Sequence, residues 1–231
     1  FVPAPTGLEA LVDAELHALG IRGARVEGGI AWDGGWDDVI RANLHLRNGS
    51  RVLVRIASFR CRALGELERR ARDLAWERWL PAGRAPRLRV SAGRSRIYHE
   101  RAAEERLRRA IAAGGGPDRP PRPDDAAAPL AVIRIFRDEV TISADTSGGH
   151  LHRRGYRIVP GAAPLRETLA AAALRAVGWT GALPFADPFA GSGTIAIEAA
   201  LLALDVAPGI ATRAREPRAF AFLDWPDAPR E

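Results

Sequence analysis

The sequence predicts a protein of mixed class, α+β up to residue 150 and α/β after it. Three observations lead to this prediction. Strand and helix patterns alternate in residues 1–60, they alternate again in residues 64–144, and a strand–glycine turn–helix pattern occupies residues 183–204. The first two are typical of small sheets with helices packed on them, and the third is typical of a doubly wound parallel sheet.

The first 60 residues predict one small α+β layer. Thr6 can cap a helix that ends at Leu19, because leucine and valine recur there at helical spacing. A strand pair or one bent strand follows at Arg25–Trp32, then a second helix at Trp36–His45. Alternating apolar residues predict a further strand at Arg51–Phe59.

The same alternation returns in residues 64–144. Acidic residues lie four positions from arginines in the second predicted helix, which indicates that much of its charge forms a solvated surface. The predicted elements are helices at Leu64–Leu80 and Tyr98–Ala113 and strands at Arg87–Ser91, Leu130–Phe136 and Glu139–Ala144, the last two joined at Arg137 and Asp138.

The stretch 183–204 predicts a binding site at the start of a helix. Leu183–Ala186 is expected to be a buried strand, Asp187–Thr194 a glycine turn and Ile195–Leu204 a helix. The turn exposes backbone N–H groups, and its small residues admit a ligand close to the backbone. The carboxylate of Asp187 disfavours a phosphate and suits an ammonium or hydroxyl group, as in S-adenosylmethionine.

Two other ligand classes fit this turn less well. A dinucleotide fingerprint has a third glycine where this chain has Ala196, so a nicotinamide-dependent enzyme is disfavoured. A phosphate-binding loop needs a lysine, and the chain has none. A plain tight turn without a ligand remains the alternative.

Composition indicates a globular cytoplasmic protein. The chain has 231 residues, 47% of them hydrophobic, and one cysteine, which excludes an internal disulfide. No apolar run approaches the ~20 residues of a membrane span, and no signal-peptide pattern opens the chain. Because methionine is absent, we expect a fragment or a processed piece of a longer protein.

Positive charge is concentrated in residues 56–163, which hold 22 arginines against 13 acidic residues. Such segregation is typical of a nucleic-acid-binding surface, although a solvated arginine-rich face is the alternative. Two segments combine arginine with tyrosine, a pairing suited to phosphates and bases. The candidate RNA-binding residues are Arg94, Ser95, Arg96 and Tyr98 in one loop, and Arg153, Arg154, Tyr156 and Arg157 in a basic run.

The basic run can instead have a structural role. It can be an interdomain linker whose arginines pair with acidic residues of a neighbouring domain, and both roles stay open. His150 and His152 lie close together, but no carboxylate or cysteine accompanies them, so no metal site is expected.

Several motifs in fixed order resemble the THUMP-domain class I RNA methyltransferases, above all the bacterial large-subunit rRNA guanine-N2 enzymes. The resemblance covers nearly the whole chain. The motifs that carry it are His152–Arg157, Ala163–Ala170 and Asp187–Ile195, supported by Thr6–Glu9, Gly29–Trp32, Ala42–Arg47, Ser50–Leu53, Ala207–Gly209 and Phe220–Trp225.

This resemblance implies a domain order and a cofactor. It implies a ferredoxin-like domain at 1–55, an RNA-binding THUMP domain at 56–150, a basic linker at 151–163 and the start of a Rossmann-like methyltransferase domain at 164–231. S-adenosylmethionine would be the cofactor. Its pocket would be lined by Asp187, Pro188, Phe189, Gly191, Ser192, Gly193 and Thr194, with Pro164, Leu165 and Thr168 near the methionyl end.

The sequence departs from the family at the catalytic motif. No Asn/Asp-Pro-Pro-aromatic sequence occurs, so no catalytic residue is assigned. We therefore expect a guanine-N2 RNA methyltransferase whose catalytic domain is incomplete here and inactive by itself. The expected partner is structured RNA, rRNA rather than tRNA, with no DNA or membrane partner. A non-catalytic RNA-binding module and a tRNA guanine-N2 methyltransferase are the alternatives.

Overall fold

The computed structural model describes residues 1–81, 83–125, 127–157, 165–210 and 218–229. The chain forms two compact units, and each is discontinuous in sequence. Unit 1 consists of Phe1–Val52 and Gly149–Phe220, and unit 2 consists of Leu53–Gly148 and Ala221–Glu231.

Unit 1 opens with a small antiparallel sheet and two helices. Gly29 lies so close to the neighbouring strand that no side chain fits there, because a Cβ would overlap the Val2 carbonyl. The apolar side chains of Val2, Leu16 and Ile30 are fully buried. The elements are β1 (Val2–Pro3), α1 (Glu9–Ala18), β2 (Ala24–Val26), β3 (Gly29–Ala31) and α2 (Trp36–His45), with strand order β1-β3-β2.

Two details of this region differ from the sequence prediction. Thr6 does not cap α1; Leu8 precedes the helix, and the Gly7 N–H donates to the Glu9 carboxylate at 2.8 Å. The strand predicted at Arg51–Phe59 forms as β4 (Leu53–Arg60), but it belongs to unit 2 and not to this layer. Alternation of apolar residues predicts a strand without naming its partner.

Unit 2 contains a four-stranded sheet in the order β4-β7-β6-β5. Its β5 and β6 run parallel, which requires the long crossover that α4 supplies, and the other pairs are antiparallel. The predicted helix Leu64–Leu80 ends early, and the Trp76 indole N–H donates to the Ala71 carbonyl at 2.7 Å. The elements are α3 (Leu64–Arg72), a 3₁₀ turn (Trp76–Arg78), β5 (Arg87–Gly93), α4 (Glu100–Ala113), β6 (Leu130–Phe136), β7 (Glu139–Asp145) and a second 3₁₀ turn (Ala221–Asp224).

One face of this sheet packs against α3 and α4. Successive side chains along a strand point to opposite faces, so every second residue faces the helices. Leu88, Ile133 and Ile142 belong to the same buried apolar cluster as Leu67 and Leu107 of the helices. The residues between them point to the opposite face, where Arg89, Ser91 and Arg134 are exposed. Unit 2 therefore has one apolar sheet face and one face that carries exposed arginines.

The rest of unit 1 contains α5 (Glu167–Ala176) and α6 (Thr194–Ala203). The buried strand predicted at Leu183–Ala186 is wrong, because these residues form no strand and Leu183 is 72% exposed. A parallel strand exists only through hydrogen bonds to neighbouring strands, and no described residue pairs with this segment. The glycine turn and the helix after it form as predicted.

Candidate cofactor loop and the ionic cluster behind it

The glycine turn ends at a left-handed residue that starts α6. Gly193 precedes the helix with φ 74° and Gly191 has φ 54°, a region that side-chain-bearing residues rarely adopt. The Gly193 N–H donates to the Ala190 carbonyl at 2.7 Å, and the Ile197 N–H donates back to Gly193 at 2.8 Å. The N–H groups of the first helical residues have no partner within the helix, so they can bind a ligand.

Asp187 offers a free acceptor in this loop. One carboxylate oxygen, Oδ1, accepts the Phe189 N–H at 3.1 Å and fixes the start of the turn. The other, Oδ2, is inaccessible to solvent and has no hydrogen-bond partner within the described part of the chain. A buried acceptor without a donor is rare and costly, so it suits a ligand that brings an ammonium or hydroxyl donor. Pro188 and Phe189 are exposed beside it.

Arg157 joins two segments that the sequence predicted to line one pocket. Its Nη2 donates to the Leu165 carbonyl at 2.7 Å and to the Thr194 hydroxyl at 3.1 Å. The guanidinium also lies 3.5 Å from the Glu167 carboxylate. The Ser192 hydroxyl lies 3.2 Å from that of Thr194. Leu165 therefore lies next to the helix start.

The remaining predicted cofactor residues divide in two. Thr168, in the first turn of α5, is buried, and its carbonyl accepts the side-chain N–H of Asn48 at 2.9 Å. This hydrogen bond holds α5 against the residues after α2, and the cofactor contact of Thr168 stays a prediction. Pro164 lies outside the described residues.

Glu198 anchors α6 one turn beyond the loop. Its carboxylate is fully buried and forms an ion pair with Arg154, whose side chain is equally buried. The Tyr156 hydroxyl donates to the other Glu198 oxygen at 2.7 Å, and Arg154 Nη2 donates to the Arg47 carbonyl at 2.6 Å. Burial, and then the hydrogen bond to Glu198, raise the pKa of Tyr156 far above its ordinary value, so the hydroxyl stays a donor.

The far end of α6 is held by a second buried arginine. Arg47 Nη2 donates to the Val206 carbonyl at 2.7 Å and to the Leu201 carbonyl at 3.2 Å. A cation at a helix C-terminus stabilises the carbonyls that lack intrahelical donors. Desolvation lowers the pKa of this guanidinium below its usual range. The helix behind the glycine loop is therefore fixed at both ends by charged groups.

Glu15 of α1 completes this cluster. Its Oε2 accepts the backbone N–H groups of Asn48 at 2.9 Å and Arg47 at 3.2 Å, and its Oε1 lies 3.3 Å from Arg175 Nε. Desolvation raises the pKa of the Glu15 carboxyl, although Arg175 and the backbone N–H groups oppose the shift. We call Glu15, Arg47, Arg154, Tyr156, Arg175 and Glu198 the ionic cluster; Tyr156 and Arg175 are half-buried and the others are buried.

The assignment of Arg154 as an RNA contact is wrong, because its side chain has no exposed surface. For this residue the structural role holds, since it pairs with an acidic residue elsewhere in the chain. Tyr156 and Arg157 are half-buried, with the Tyr156 hydroxyl and Arg157 Nη2 engaged in unit 1, and their RNA contacts stay predictions. Arg153 is exposed, and its RNA contact stays a prediction.

The second predicted RNA-binding group lies in the loop after β5 in unit 2. Tyr98 is 67% exposed and its ring lies 4.0 Å from that of His99, while Arg94 and Arg96 are exposed. The Ser95 hydroxyl is occupied within the protein, since it donates to the Gly93 carbonyl and accepts the Asp138 N–H. The RNA contacts of Arg94, Arg96 and Tyr98 remain predictions.

Sequence reasoning missed Glu198 and Glu15. Glu198 is the only charged residue between Thr194 and Ala203, and it has no cation three or four positions away. An isolated carboxylate in an apolar helix requires a distant partner, and that signal was available. Glu15 gave no comparable signal, since it lies among other polar residues of α1.

Two further observations bear on possible ligands. His150 and His152 stack at 5.0 Å, and burial lowers the pKa of His152. The described ranges contain no group of three metal-ligating side chains.

None of the described helices is long and apolar enough to span a bilayer.

Two segments of the chain match known domain families. Residues 1–53 match the RlmL ferredoxin-like domain, and residues 154–219 match the RMKL-like methyltransferase domain, UPF0020. The second match includes the glycine loop, α5, α6 and the linker residues Arg154 and Tyr156.

Similar proteins are named as methyltransferases. YpsC of Bacillus subtilis (strain 168), named as an RNA methyltransferase, is 36% identical over 96% of this chain, and the ribosomal RNA large subunit methyltransferase K/L of Marinobacter nauticus is 34% identical over 98%. A Listeria monocytogenes protein, named as an N6-adenine-specific DNA methylase, superposes with a TM-score of 0.85 at 32% identity over 99% of this chain. SMU.472, a methyltransferase crystallised with SAH, gives a TM-score of 0.80 at 30% identity, also over 99%.

The chain spans part of these proteins. It covers 57% of YpsC, 32% of the Marinobacter enzyme and 60% of each of the two solved chains.

Proposed function

We propose that this chain, which carries an RlmL-type ferredoxin-like domain and an RMKL-like methyltransferase segment, belongs to an RNA methyltransferase that uses S-adenosylmethionine. The observation that carries the proposal is the free, buried Oδ2 of Asp187 at a glycine turn that opens a helix. The relatives named as RNA methyltransferases support it, as does the SAH in one similar structure.

The residues of the loop fit this cofactor. Asp187 would accept a hydrogen bond from its ammonium or hydroxyl groups, and the turn at Gly191 and Gly193 would admit it to the first N–H groups of α6. Leu165, with its carbonyl held by Arg157, would border the methionyl end. The cofactor supplies a methyl group on a sulfonium, and the sulfur leaves as a neutral thioether. This chain's residues would act by positioning, which is a large contribution when the leaving group is already good.

The finer specificity is also proposed. We infer that the acceptor is the N2 amino group of a guanine in rRNA and that unit 2 is a THUMP domain that binds the RNA. Support comes from the arginine excess of residues 56–163 and from the motif order. An enzyme of this kind would act in the cytoplasm. A tRNA guanine is the closest alternative, and a module that binds RNA without methylating it is another.

The name of the Listeria protein suggests an alternative function for this chain, as part of a DNA adenine methylase. Product analysis distinguishes the two. The full-length protein to which this chain belongs is purified and incubated with methyl-labelled S-adenosylmethionine and either large-subunit rRNA or duplex DNA. N2-methylguanosine in the RNA supports the proposal, whereas N6-methyladenine in the DNA contradicts it.

Cofactor binding tests the loop directly. Calorimetric titration with S-adenosylmethionine should show binding that Gly191→Val weakens by about tenfold or more, since a tenfold loss needs only about 1.4 kcal/mol and the side chain fills the ligand's approach. Asp187→Asn should weaken binding through loss of the acceptor charge while preserving the shape of the turn.

Gly178→Val is the matched control for the loop. Gly178 also has a positive φ, 69°, with open space where a Cβ would lie, but it follows α5 and is not in the turn. This variant carries the same backbone strain and should bind the cofactor normally. Equal binding by Gly191→Val and Gly178→Val would mean that the cofactor does not use this loop.

A further inference from the structure

Three arginines surround one aromatic ring at the end of β6. The guanidinium carbons of Arg134, Arg137 and Arg94 lie 4.5, 5.2 and 5.9 Å from the centroid of the Phe136 ring. All three arginine side chains are exposed. We call Arg94, Arg134, Phe136 and Arg137 the Phe136 cluster.

The parallel pairing of β5 with β6 brings these residues together. Gly93 pairs with Phe136, so Arg94 and Arg137, the next residue on each strand, leave the sheet side by side. The Arg137 N–H donates to the Gly93 carbonyl. A Cβ at Gly93 would lie 3.6 Å from the ring, so the glycine leaves the sheet face beside Phe136 open.

The backbone on both sides of the cluster turns sharply and is held in place by hydrogen bonds. Arg94, Arg137 and Asp138 have φ values of 49°, 52° and 64°, and Asp205 is the only other non-glycine residue with positive φ in the described ranges. Arg137 and Asp138 are the two residues of the turn between β6 and β7, and a two-residue hairpin of this type requires positive φ at both of them. Here the Asp138 N–H donates to Ser95 Oγ at 3.0 Å, and the Asp138 carboxylate accepts the Arg96 N–H at 2.8 Å.

Charge compensation is incomplete around the ring. The second oxygen of Asp138 is taken by Arg62 at 2.9 Å, and the Glu139 carboxylate accepts the Ser58 hydroxyl at 2.8 Å. Within the described residues, Arg94 and Arg137 form no ion pair with a carboxylate. Arginines on the helices of unit 2, such as Arg101 and Arg106, do form such pairs, with Glu105 and Glu68.

We propose that the Phe136 cluster binds the phosphate backbone of an RNA strand. The guanidinium N–H groups of Arg94 and Arg137 can donate to phosphate oxygens, and several guanidinium groups near one point match an anionic polymer better than a single ion. The inference rests on the proposed function, which makes RNA the substrate. It adds Arg134, Phe136 and Arg137 to the loop residues predicted from sequence.

The test measures binding of a labelled RNA stem–loop to the full chain by fluorescence anisotropy at about 50 and about 200 mM salt. A triple variant, Arg94→Ala with Arg134→Ala and Arg137→Ala, should bind about tenfold or more weakly and should lower the salt slope by about one per lost phosphate contact. Alanine has the same Cβ as arginine, so the left-handed residues gain no new strain.

The matched control removes the same charge elsewhere in unit 2. Arg69, Arg101 and Arg109 are exposed on α3 and α4, which cover the opposite face of the sheet. Their triple alanine variant should bind within about threefold of the wild type. A second probe, Phe136→Leu, keeps the charge and removes the ring, and it should weaken binding several-fold with an unchanged salt slope.

The outcomes separate this inference from the proposed function. Equal loss in the cluster and control variants would show a generic charge effect and overturn the inference. Wild-type affinity in the cluster variant would overturn it while leaving RNA binding by the protein intact. If the wild-type protein showed no salt-sensitive RNA binding, both the inference and the proposed RNA substrate would be overturned. The cofactor titration would still test independently whether the glycine loop binds S-adenosylmethionine.

Discussion

Arg154 and Glu198 carry opposite charges where neither side chain has exposed surface. Removing one partner of a buried pair leaves the other charge desolvated, which costs about 3–5 kcal/mol. Arg154→Met should therefore lower the free energy of unfolding by about that amount. Urea denaturation of the wild type, both single variants and the double variant measures it.

Adding Glu198→Gln to Arg154→Met should recover part of that loss, because the amide is neutral and its oxygen can still accept a hydrogen bond from the Tyr156 hydroxyl. The double-mutant cycle then reports the coupling between the two residues. A cost below about 1 kcal/mol for Arg154→Met would mean that the pair is hydrated in solution.

At the scale of single residues, the sequence predicted the basic run but not which of its arginines are buried and which are exposed. Arg153 and Arg154 are adjacent and chemically identical, yet one is exposed and the other fully buried. The difference depends on Glu198, 44 residues away, and local pattern contains no such information.

At the scale of the elements, the carboxyl group of Glu15 connects α1 to the segment after α2, and burial makes this group hard to ionise. The folded-state pKa of Glu15 is raised above its value of 4.5 in the unfolded chain. Folding is therefore favoured by this group below pH 4.5, and that contribution is lost as the pH rises through the folded pKa. Glu15→Gln should remove this part of the pH dependence.

Denaturation of the wild type and Glu15→Gln between about pH 4 and 8 tests the sign. The difference in unfolding free energy between them should change in favour of the variant as the pH rises. A difference that stays constant over this range would show that Arg175 and the backbone N–H groups fully compensate the burial.

Whether a segment is a helix or a strand could be predicted where the apolar repeat is long. Which strand it pairs with could not. The helices at α2, α4 and α6 begin and end within two residues of the predicted bounds. Leu183–Ala186 has the composition of a buried strand but no hydrogen-bonding neighbour among the described residues, so composition alone misled. The strand after residue 50 formed as predicted and joined a different sheet.

On the scale of the whole molecule, the interiors of the two units differ in composition. Unit 1 combines apolar residues with buried charges such as Arg154 and Glu198, whereas the main core cluster of unit 2 is apolar and includes the fully buried Leu107. Leu107→Ala should cost unit 2 about 2–5 kcal/mol through lost packing and a cavity. Hydrogen exchange should show faster exchange in β5–β7 and α4.

The same measurement on Arg154→Met should instead show faster exchange in α5 and α6. If both variants changed exchange uniformly along the chain, the two units would unfold as one cooperative body. The proposed sites would follow the same division, the cofactor loop in unit 1 and the Phe136 cluster in unit 2.

The interleaving of the two units has a consequence for synthesis on the ribosome. All four strands of the larger sheet have been synthesised once Asp145 is made, so that sheet can form while later residues are still being added. Glu15 and Arg47 must wait until Arg154, Arg175 and Glu198 appear, and until then they stay hydrated on an unfinished layer. Glu15 and Arg47, which are made early in this chain, are therefore among its last residues to reach their final environment.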